Sequence, residues 1–226
     1  MTFSLLGRCA ATGALGACTA TADLAVGARV PHAEAGVGAV LTQHRTDPRL
    51  GRRGLGLLRS GCTAGETVAA LAASTPERDW RQLAVVDAAG ATASFSGGRV
   101  ADRFAEEHGP DCVALGNVLA AAGVGPAMVR AFSRNTGEPL AERLTEALEA
   151  GLASGGEVSP CRSAALLVVS HPGLALVDLR VDLDPDPVAR LRDLWDAYRP
   201  VADEFELRAL DPDRAPGATQ AGSDRG

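Results

Sequence analysis

The second residue of the chain, Thr2, has the chemistry of a nucleophile that needs no partner side chain. Because threonine is small, an initiator Met1 can be removed, and removal leaves a free α-amine beside the Thr2 hydroxyl. Such an amine titrates at about 7.7 to 8.0 when unperturbed, so it can accept the proton of that hydroxyl. Thr2 is therefore the candidate nucleophile for amide hydrolysis. The alternative is that a small residue here serves N-terminal processing alone.

Asn117 is the candidate for stabilising the negative charge that such an attack creates. It follows an apolar segment at residues 112–115 and Gly116, where a strand is expected to give way to a loop. A side-chain amide at that point can donate a hydrogen bond to an oxyanion. The alternative is an asparagine that is favoured in a turn because it tolerates left-handed backbone.

A run of polar residues follows another apolar segment, at residues 36–43, and a strand end opening into a polar loop is a usual place for a pocket. Arg45 could hold a substrate carboxylate through paired hydrogen bonds, and His44 could carry a proton. We expect Gln43 to share one cavity with Thr2 and Asn117. The alternative is a solvated loop. The run comprises Thr42, Gln43, His44, Arg45 and Asp47.

A second polar segment opens a later strand, at residues 161–163. Arg162 is a candidate for a second anion clamp, and Ser163 is a candidate hydroxyl donor to the substrate. The alternative is a surface loop that precedes a core strand. Both polar segments favour a small-molecule substrate, and neither identifies it.

Composition excludes several other classes of function. The chain has 226 residues and a formal net charge of −6, and all 22 of its basic residues are arginines. A negative balance argues against nucleic acid and anionic membranes as partners, because both require a basic face. The lack of lysine excludes Schiff-base chemistry.

Cysteine and histidine spacing predicts neither a metal nor a cofactor. The five cysteines form no C-x-x-C pair and the histidines lack metal-binding spacing, so we expect free thiols. We find no secretory leader pattern and no apolar run of about 18 residues, so we expect no membrane span. Together these features favour a cytoplasmic protein.

Strand and turn signals predict a mainly antiparallel α+β domain. Strand pairs are expected around Gly13, around residues 88–90 and around residues 172–173, where turn residues separate apolar runs. Because paired strands alternate with paired helices, we expect two stacked sheets covered by helices.

Helices are expected at residues 48–60, after a capping box at 63–66, at 125–134, and at 139–150 with Gly151 as the terminator. A final amphipathic helix is expected to be capped by Asp186 and to bury Val188, Leu191, Leu194 and Trp195 on one face. That face leaves a homo-oligomer open. Residues 211–226 are predicted to form a disordered tail, which leaves one domain over residues 1–210.

Several segments, taken in order, are typical of one known family. They are Met-Thr-Phe-Ser at the start, Ala-Val-Gly-Ala-Arg-Val-Pro at 25–31, Glu-Ala-Gly-Val-Gly-Ala-Val at 34–40, Arg-Gln-Leu-Ala-Val-Val-Asp at 81–87, Gly-Asn-Val-Leu at 116–119, Ser-Ala-Ala-Leu-Leu-Val-Val at 163–169 and Val-Asp-Leu-Arg-Val-Asp at 177–182. In this order they resemble the family catalogued as domain of unknown function 1028 (DUF1028), over residues 1–200.

This resemblance implies a four-layer αββα sandwich of two mainly antiparallel sheets, as in N-terminal-nucleophile (Ntn) hydrolases. In Ntn enzymes the second strand approaches the nucleophile, which implies that Thr21 or Asp23 orients the terminal amine. The leading hypothesis is a hydrolase of a small-molecule amide or related C–N bond. One alternative is a deaminase or isomerase of a small unsaturated amine or imine, with no covalent threonine intermediate. The other is a non-catalytic small-molecule-binding or scaffold protein.

Overall fold

A computed structural model describes residues 1–100 and 103–216 of the chain. The strands are β1 Thr2–Arg8, β2 Leu15–Thr21, β3 Pro31–Glu34, β4 Gly38–His44, β5 Arg81–Asp87, β6 Thr92–Ser96, β7 Phe104–Gly109, β8 Cys112–Asn117, β9 Ser163–His171 and β10 Leu174–Val181. The α-helices are α1 Pro48–Arg59, α2 Ala64–Ser74, α3 Val124–Arg134, α4 Leu140–Ala153, α5 Pro187–Tyr198 and α6 Ala202–Leu210. Short 3-10 helices cover Val26–Ala28, Arg78–Trp80 and Arg199–Val201.

These strands form two antiparallel sheets, as the hairpin signals predict. The larger sheet has the order β10-β9-β2-β1-β8-β7, and the smaller has the order β3-β4-β5-β6. The three expected hairpins are β1–β2, β5–β6 and β9–β10, and each pairs antiparallel. The predicted α+β class with mainly antiparallel sheets is therefore confirmed.

Three apolar clusters show which surfaces of the sheets are covered. One cluster joins the larger sheet to α3, α4 and α5 through residues such as Phe3, Phe132 and Trp195. A second lies between the sheets and includes Leu6 and Leu41. A third joins the smaller sheet to α1 and α2. Because both faces of β1 are covered, six of its seven residues are buried.

Two strands are absent from the sequence predictions, and both lie at sheet edges. β3 begins with Pro31, and β7 has the polar sequence Phe-Ala-Glu-Glu-His-Gly. An edge strand has a neighbour on one side only and can expose polar side chains, so its sequence lacks the apolar signal of a central strand. Pairing with β4 and β8 therefore decides their structure.

The expected end of the fourth helix at Gly151 is wrong. The helix continues to Ala153, and Gly151 is a buried residue within it. A Cβ at this position would lie 2.8 Å from Met128 Cγ and 3.1 Å from the ring of Phe3. Gly151 therefore permits close packing of α4 on α3 and β1, which tertiary contact requires and local sequence does not reveal.

The expected cap and burial pattern of the 187–198 helix also need correction. Asp186 makes no side-chain capping hydrogen bond, and Leu194 is 38 % exposed while Val188, Leu191 and Trp195 are buried. This helix is not the last, because α6 follows it. α6 buries only Ala202, so it has almost no apolar face for a pattern to reveal.

The remaining expectations concern the C-terminal tail, membrane spans and cysteines. Residues 211–216 contain turns, with the Arg214 amide donating to Asp211 O at 3.1 Å, whereas the rest of the predicted disordered tail, 217–226, lies outside the described residues. In the described part of the chain, every helix is too short or too polar to cross a membrane. All five cysteines are free thiols.

Two glycines of α1 provide a matched test of how this helix packs on β3. A Cβ at Gly51 would overlap the His32 ring, whereas a Cβ at Gly56 would meet no atom within 4 Å. Gly51→Ala should therefore destabilise the protein by about 1–2 kcal/mol, because crowding exceeds the gain in helix propensity. Gly56→Ala should stabilise it by about 0.5–1 kcal/mol. Urea denaturation measures both, and equal effects would contradict this packing.

Candidate functional site

A chain of buried polar side chains crosses the space between the two sheets. Ser4 Oγ lies 2.7 Å from Thr19 Oγ1 and donates to Gln43 Oε1 at 2.8 Å. Gln43 Nε2 donates to Gln82 Oε1 at 2.7 Å, and Asn117 Nδ2 donates to the same oxygen at 3.0 Å. All five side chains have no exposed surface. They form what we call the inter-sheet network: Ser4, Thr19, Gln43, Gln82 and Asn117.

Strand alternation places these polar groups on the inner faces of the sheets. Ser4 alternates with Leu6 on β1, and Gln82 alternates with Ala84 and Val86 on β5; these three apolar residues belong to the inter-sheet cluster. Since side chains on a strand point to opposite faces in turn, the polar residues continue the same inner face. The network therefore replaces the apolar inter-sheet core at one end of the molecule.

Thr2 lies beside this network, at the start of β1. Thr2 and Asn117 are directly opposed in the β1–β8 ladder, so their side chains share one face. Thr2 is 6 % exposed, and its hydroxyl donates to Met1 O and lies 3.3 Å from Thr21 Oγ1. The Thr21 hydroxyl also donates to Met1 O. The hydroxyls of Thr2 and Thr21 thus enclose the peptide bond whose cleavage would create a terminal threonine.

The sequence predicts that Thr2, Gln43 and Asn117 share one cavity. In the structure, packed side chains occupy this region. Gln43 and Asn117 share the acceptor Gln82 Oε1, while Thr2 contacts neither of them through a hydrogen bond of its side chain. Asn117 Oδ1 is buried and has no hydrogen-bond partner in the part of the chain that the structure describes. Because an unpaired buried acceptor costs about 1–3 kcal/mol, Asn117 stands out as the incompletely satisfied member of the network.

Glu157 is a buried carboxylate near the N-terminus. Its Oε1 accepts from Cys161 Sγ at 3.3 Å, and its Oε2 has no partner among the described residues. Burial raises the pKa of Glu157 to about 7, although the Cys161 hydrogen bond and the N-terminal ammonium act in the opposite direction. Glu157 can therefore gain or lose a proton near neutral pH beside the terminal amine.

His44 and Arg45 form a second group of polar residues at the end of β4. The His44 ring stacks on Trp80 with centroids 6.0 Å apart, and the Arg45 guanidinium lies 5.5 Å from the same indole. Burial lowers the pKa of His44, and the N-terminal ammonium and Arg45 act in the same direction. Arg45 and Trp80, with Glu77 and Arg81, line a cavity of about 370 Å³.

Left-handed backbone follows both Gln43 and Asn117. His44 has φ 67°, and Val118 has φ 54°. A β-branched residue such as valine rarely adopts positive φ, because Cβ crowds the backbone, so the Val118 conformation stores about 1–3 kcal/mol of strain. The two strands thus end in unusual backbone at the positions that carry the network amides.

The other sequence-predicted residues are distributed around this end of the molecule. Thr42 is buried and its hydroxyl donates to Asp47 O, while the Asp47 carboxylate caps α1 and pairs with Arg49. Ser163 is buried, accepts from the Val26 amide and donates to Asp23 O. Arg162 is exposed. Thr42, Asp47 and Ser163 therefore have structural partners, and Thr21 alone of the proposed substrate-binding residues contacts Thr2.

The sequence did not identify Ser4, Gln82 or Glu157 as residues of the site. Gln82 is the centre of the network, and the signal was available, since it is a polar residue at an alternating inner position of an apolar strand. Glu157 lies in a loop between α4 and β9, and forms an isolated bridge with Leu119. No sequence pattern reveals its burial, because that burial depends on chain segments far away.

The raised pKa of Glu157 predicts a specific pH dependence of stability. The folded state binds the Glu157 proton more tightly than the unfolded chain does. The contribution of Glu157 to the free energy of unfolding therefore falls as pH rises from about 4.5 to about 7. Glu157→Gln should remove this loss and stabilise the protein by up to about 3 kcal/mol at pH 8, with no difference near pH 4.5. Denaturant unfolding across this range tests it. The exposed control Glu77→Gln should behave as wild type, and an unchanged profile in Glu157→Gln would contradict the assignment.

Comparison with known proteins places the chain in a family without a described activity. A comparison with curated proteins returns no match. Anbu (ancestral beta-subunit) from Yersinia bercovieri is 13 % identical with a TM-score of 0.39, covering 91 % of this chain and 97 % of that one. A crystal structure of a DUF1028 protein from Silicibacter pomeroyi is 31 % identical with a TM-score of 0.81, covering 87 % and 85 %. Residues 2–191 match the model of the "Family of unknown function (DUF1028)", and the chain belongs to this family.

Proposed function

We propose that this protein is an Ntn-type hydrolase that cleaves a small-molecule amide or related C–N bond with Thr2. The observation that carries the proposal is the position of the Met1–Thr2 peptide. Its carbonyl accepts hydrogen bonds from the Thr2 and Thr21 hydroxyls, beside the inter-sheet network and Asn117. Removal of Met1 would free both hydroxyls from Met1 O and create a new α-amine on Thr2.

In this mechanism the terminal amine is the base. The neutral amine accepts the proton of the Thr2 hydroxyl while Oγ1 attacks the substrate carbonyl, giving a tetrahedral oxyanion. Collapse of that intermediate breaks the C–N bond, and the ammonium returns its proton to the departing nitrogen. Water then adds to the acyl-threonine ester, releases the acid and restores the Thr2 hydroxyl.

Asn117 is proposed to stabilise the oxyanion. One of its Nδ2 hydrogens bonds to Gln82 Oε1, and the amide carries a second N–H that can face the reacting carbonyl. Gln82 Nε2 donates to Gly116 O at 2.9 Å. The Gln82 amide that accepts from Asn117 is therefore itself fixed to the backbone of β8. A donor fixed before the reaction needs no reorganisation, which is the condition for effective electrostatic stabilisation.

Two further groups could assist this chemistry. Glu157, whose pKa is about 7 and which interacts with the Met1 ammonium, is proposed to hydrogen-bond the new amine and to set the pH at which that amine becomes neutral. Arg45, next to Trp80, could bind a substrate carboxylate, because its guanidinium has no carboxylate partner within 4 Å in the described part of the chain. The proposed substrate is therefore an amide that also carries an anionic group.

We further propose that residues 1–210 form one domain whose layers follow the order αββα. The three apolar clusters support this arrangement, since each lies between a different pair of surfaces. In such a sandwich the end of the inter-sheet space is where a substrate could reach the start of β1.

A deaminase or isomerase without a covalent threonine intermediate is the second candidate. One observation favours it: Glu157 and His44 are both titratable, and both lie close enough to the N-terminus to feel its charge. An acid–base pair could move protons on a small unsaturated amine without any nucleophile. This candidate predicts that turnover depends on Glu157 or His44 and survives loss of the Thr2 hydroxyl.

Mass spectrometry of the purified protein tests the first step of the Thr2 mechanism. The mature chain should lack Met1, because an intact Met1–Thr2 bond leaves no amine on Thr2. A sample that retains Met1 quantitatively, and is active in a screen for ammonia or amine release, would contradict the proposal.

Thr2 variants test the nucleophile directly with any substrate that the screen yields. Thr2→Ala should abolish turnover and change stability by about 1 kcal/mol, because only a small side chain and its hydrogen bonds are lost. Thr2→Ser should retain partial activity, since the hydroxyl remains. Wild-type activity should rise through about pH 7 to 8 as the amine loses its proton. Thr92→Ala, on edge strand β6, is the control with full activity.

These variants also separate the two candidates. Full activity in Thr2→Ala rules out the covalent mechanism. Loss of activity in Glu157→Gln together with full activity in Thr2→Ala would favour the deaminase or isomerase.

A further inference from the structure

A second cavity lies at the opposite end of β1 from Thr2. It has a volume of about 330 Å³ and is lined by Arg8 and Cys9 at the end of β1, by Asp111, and by Ser133, Thr136 and Arg143 from the α3–α4 region. This volume falls at the lower end of the range typical of small-molecule sites. Nothing in the proposed Thr2 chemistry uses these residues.

Arg143 is the unusual member of this group, because it is a buried cation without an anion. The residue is only 4 % exposed, and its guanidinium stacks 4.0 Å from the centroid of the Phe132 ring. Nε donates to Phe132 O at 3.0 Å. Within residues 1–100 and 103–216, no carboxylate lies within 4 Å of the guanidinium, and its terminal nitrogens donate no hydrogen bond.

Neighbouring arginines have the partners that Arg143 lacks. Arg8, in the same cavity, pairs with Asp111 at 2.9 Å, and Arg192 contacts both Glu142 and Glu149. A buried charge normally requires a counter-ion, since removing it from water costs far more than an aromatic contact returns. The aromatic stacking and the single hydrogen bond therefore hold the guanidinium in place but do not neutralise it.

Two hydroxyl groups line the same cavity as Arg143, those of Ser133 and Thr136. Among the described residues, the Ser133 hydroxyl makes no hydrogen bond of good geometry, although it lies close enough to the Cys112 thiol to lower that group's pKa. Arg143 and these hydroxyl groups favour a bound anion, and the Asp111 carboxylate, which also lines the cavity, is paired with Arg8.

We propose that this cavity is a binding site for a small oxyanion, a carboxylate or a phosphate group, held by the guanidinium of Arg143. The planar guanidinium presents parallel N–H donors that match two oxygens of such a group. The bound anion supplies the negative charge that pairs with the Arg143 guanidinium. The site is separate from the Thr2 end and does not depend on the proposed hydrolase.

Isothermal titration of the full chain with sodium phosphate and with sodium acetate tests the site. Tris chloride buffer and constant ionic strength exclude other oxyanions and general salt effects. We expect saturable binding of at least one of the two anions. Arg143→Met should weaken it by at least about tenfold, and Arg134→Met, an exposed arginine on neighbouring α3 with the same charge change, should not. The stronger ligand identifies the group as phosphate or carboxylate.

Alkylation of Cys9 gives a second measurement that needs no variant. Burial opposes ionisation of this thiol, but hydrogen bonds from Thr12 and the charge of Arg143 lower its pKa overall, so it should react with iodoacetamide. Bound anion should slow this reaction, read by peptide mass spectrometry, whereas chloride at equal ionic strength should not. Protection in wild type supports the site even if Arg143→Met fails to fold.

Three results would overturn the proposal. They are the absence of both saturable binding and Cys9 protection in wild type, equal binding by wild type and Arg143→Met, and equal weakening in Arg143→Met and Arg134→Met. The last would show that anions respond to the general charge of this surface.

Discussion

The side-chain amide of Gln82 is the constraint on which the site depends. It lies between the two sheets and has no exposed surface, so its polar atoms require partners in the interior. Its oxygen accepts from Gln43 and Asn117, and its nitrogen donates to Gly116 O and to Ser96 Oγ at 3.0 Å. One residue thus connects β4, β5, β6 and β8.

This requirement fixes the register between the sheets. A shift of one residue in β5 would turn Gln82 toward the outer helices and bring Leu83 inward, leaving four polar groups unpaired. The leucine-rich and valine-rich clusters on either side tolerate exchange of similar side chains, but hydrogen bonds demand specific distances. The inter-sheet network therefore provides specificity where the apolar clusters provide most of the stability.

The two proposed sites lie at opposite ends of β1. Thr2 begins the strand and Cys9 follows its end, and a seven-residue strand spans roughly 20 Å. At the first end, buried polar groups satisfy one another and leave one amide oxygen without a partner. At the other end, the protein leaves a guanidinium without a counter-ion. The first end has an unpaired amide oxygen beside the proposed nucleophile, and the second has an unpaired cation that favours an anionic ligand.

The sequence alone predicts the α+β class, the three hairpins, most of the helices and the family. These follow from local signals: turn residues such as Gly13, alternating apolar positions, and the Thr63 capping box that the structure contains. It also predicts that Thr2 and Asn117 lie close together, and the two residues are directly opposed in the β1–β8 ladder. It did not reveal β3, β7 or α6, because these elements have little apolar surface.

Which polar residues are buried together depends on contacts between segments that are far apart in the sequence. Gln82, Glu157 and Arg143 are ordinary polar residues in sequence, and each becomes unusual only because distant segments bury most or all of its surface. Burial raises the pKa of Glu157, satisfies Gln82 through two sheets and leaves Arg143 without an anion. The desolvation of a side chain depends on the segments that fold around it. The local sequence near that residue therefore does not reveal it.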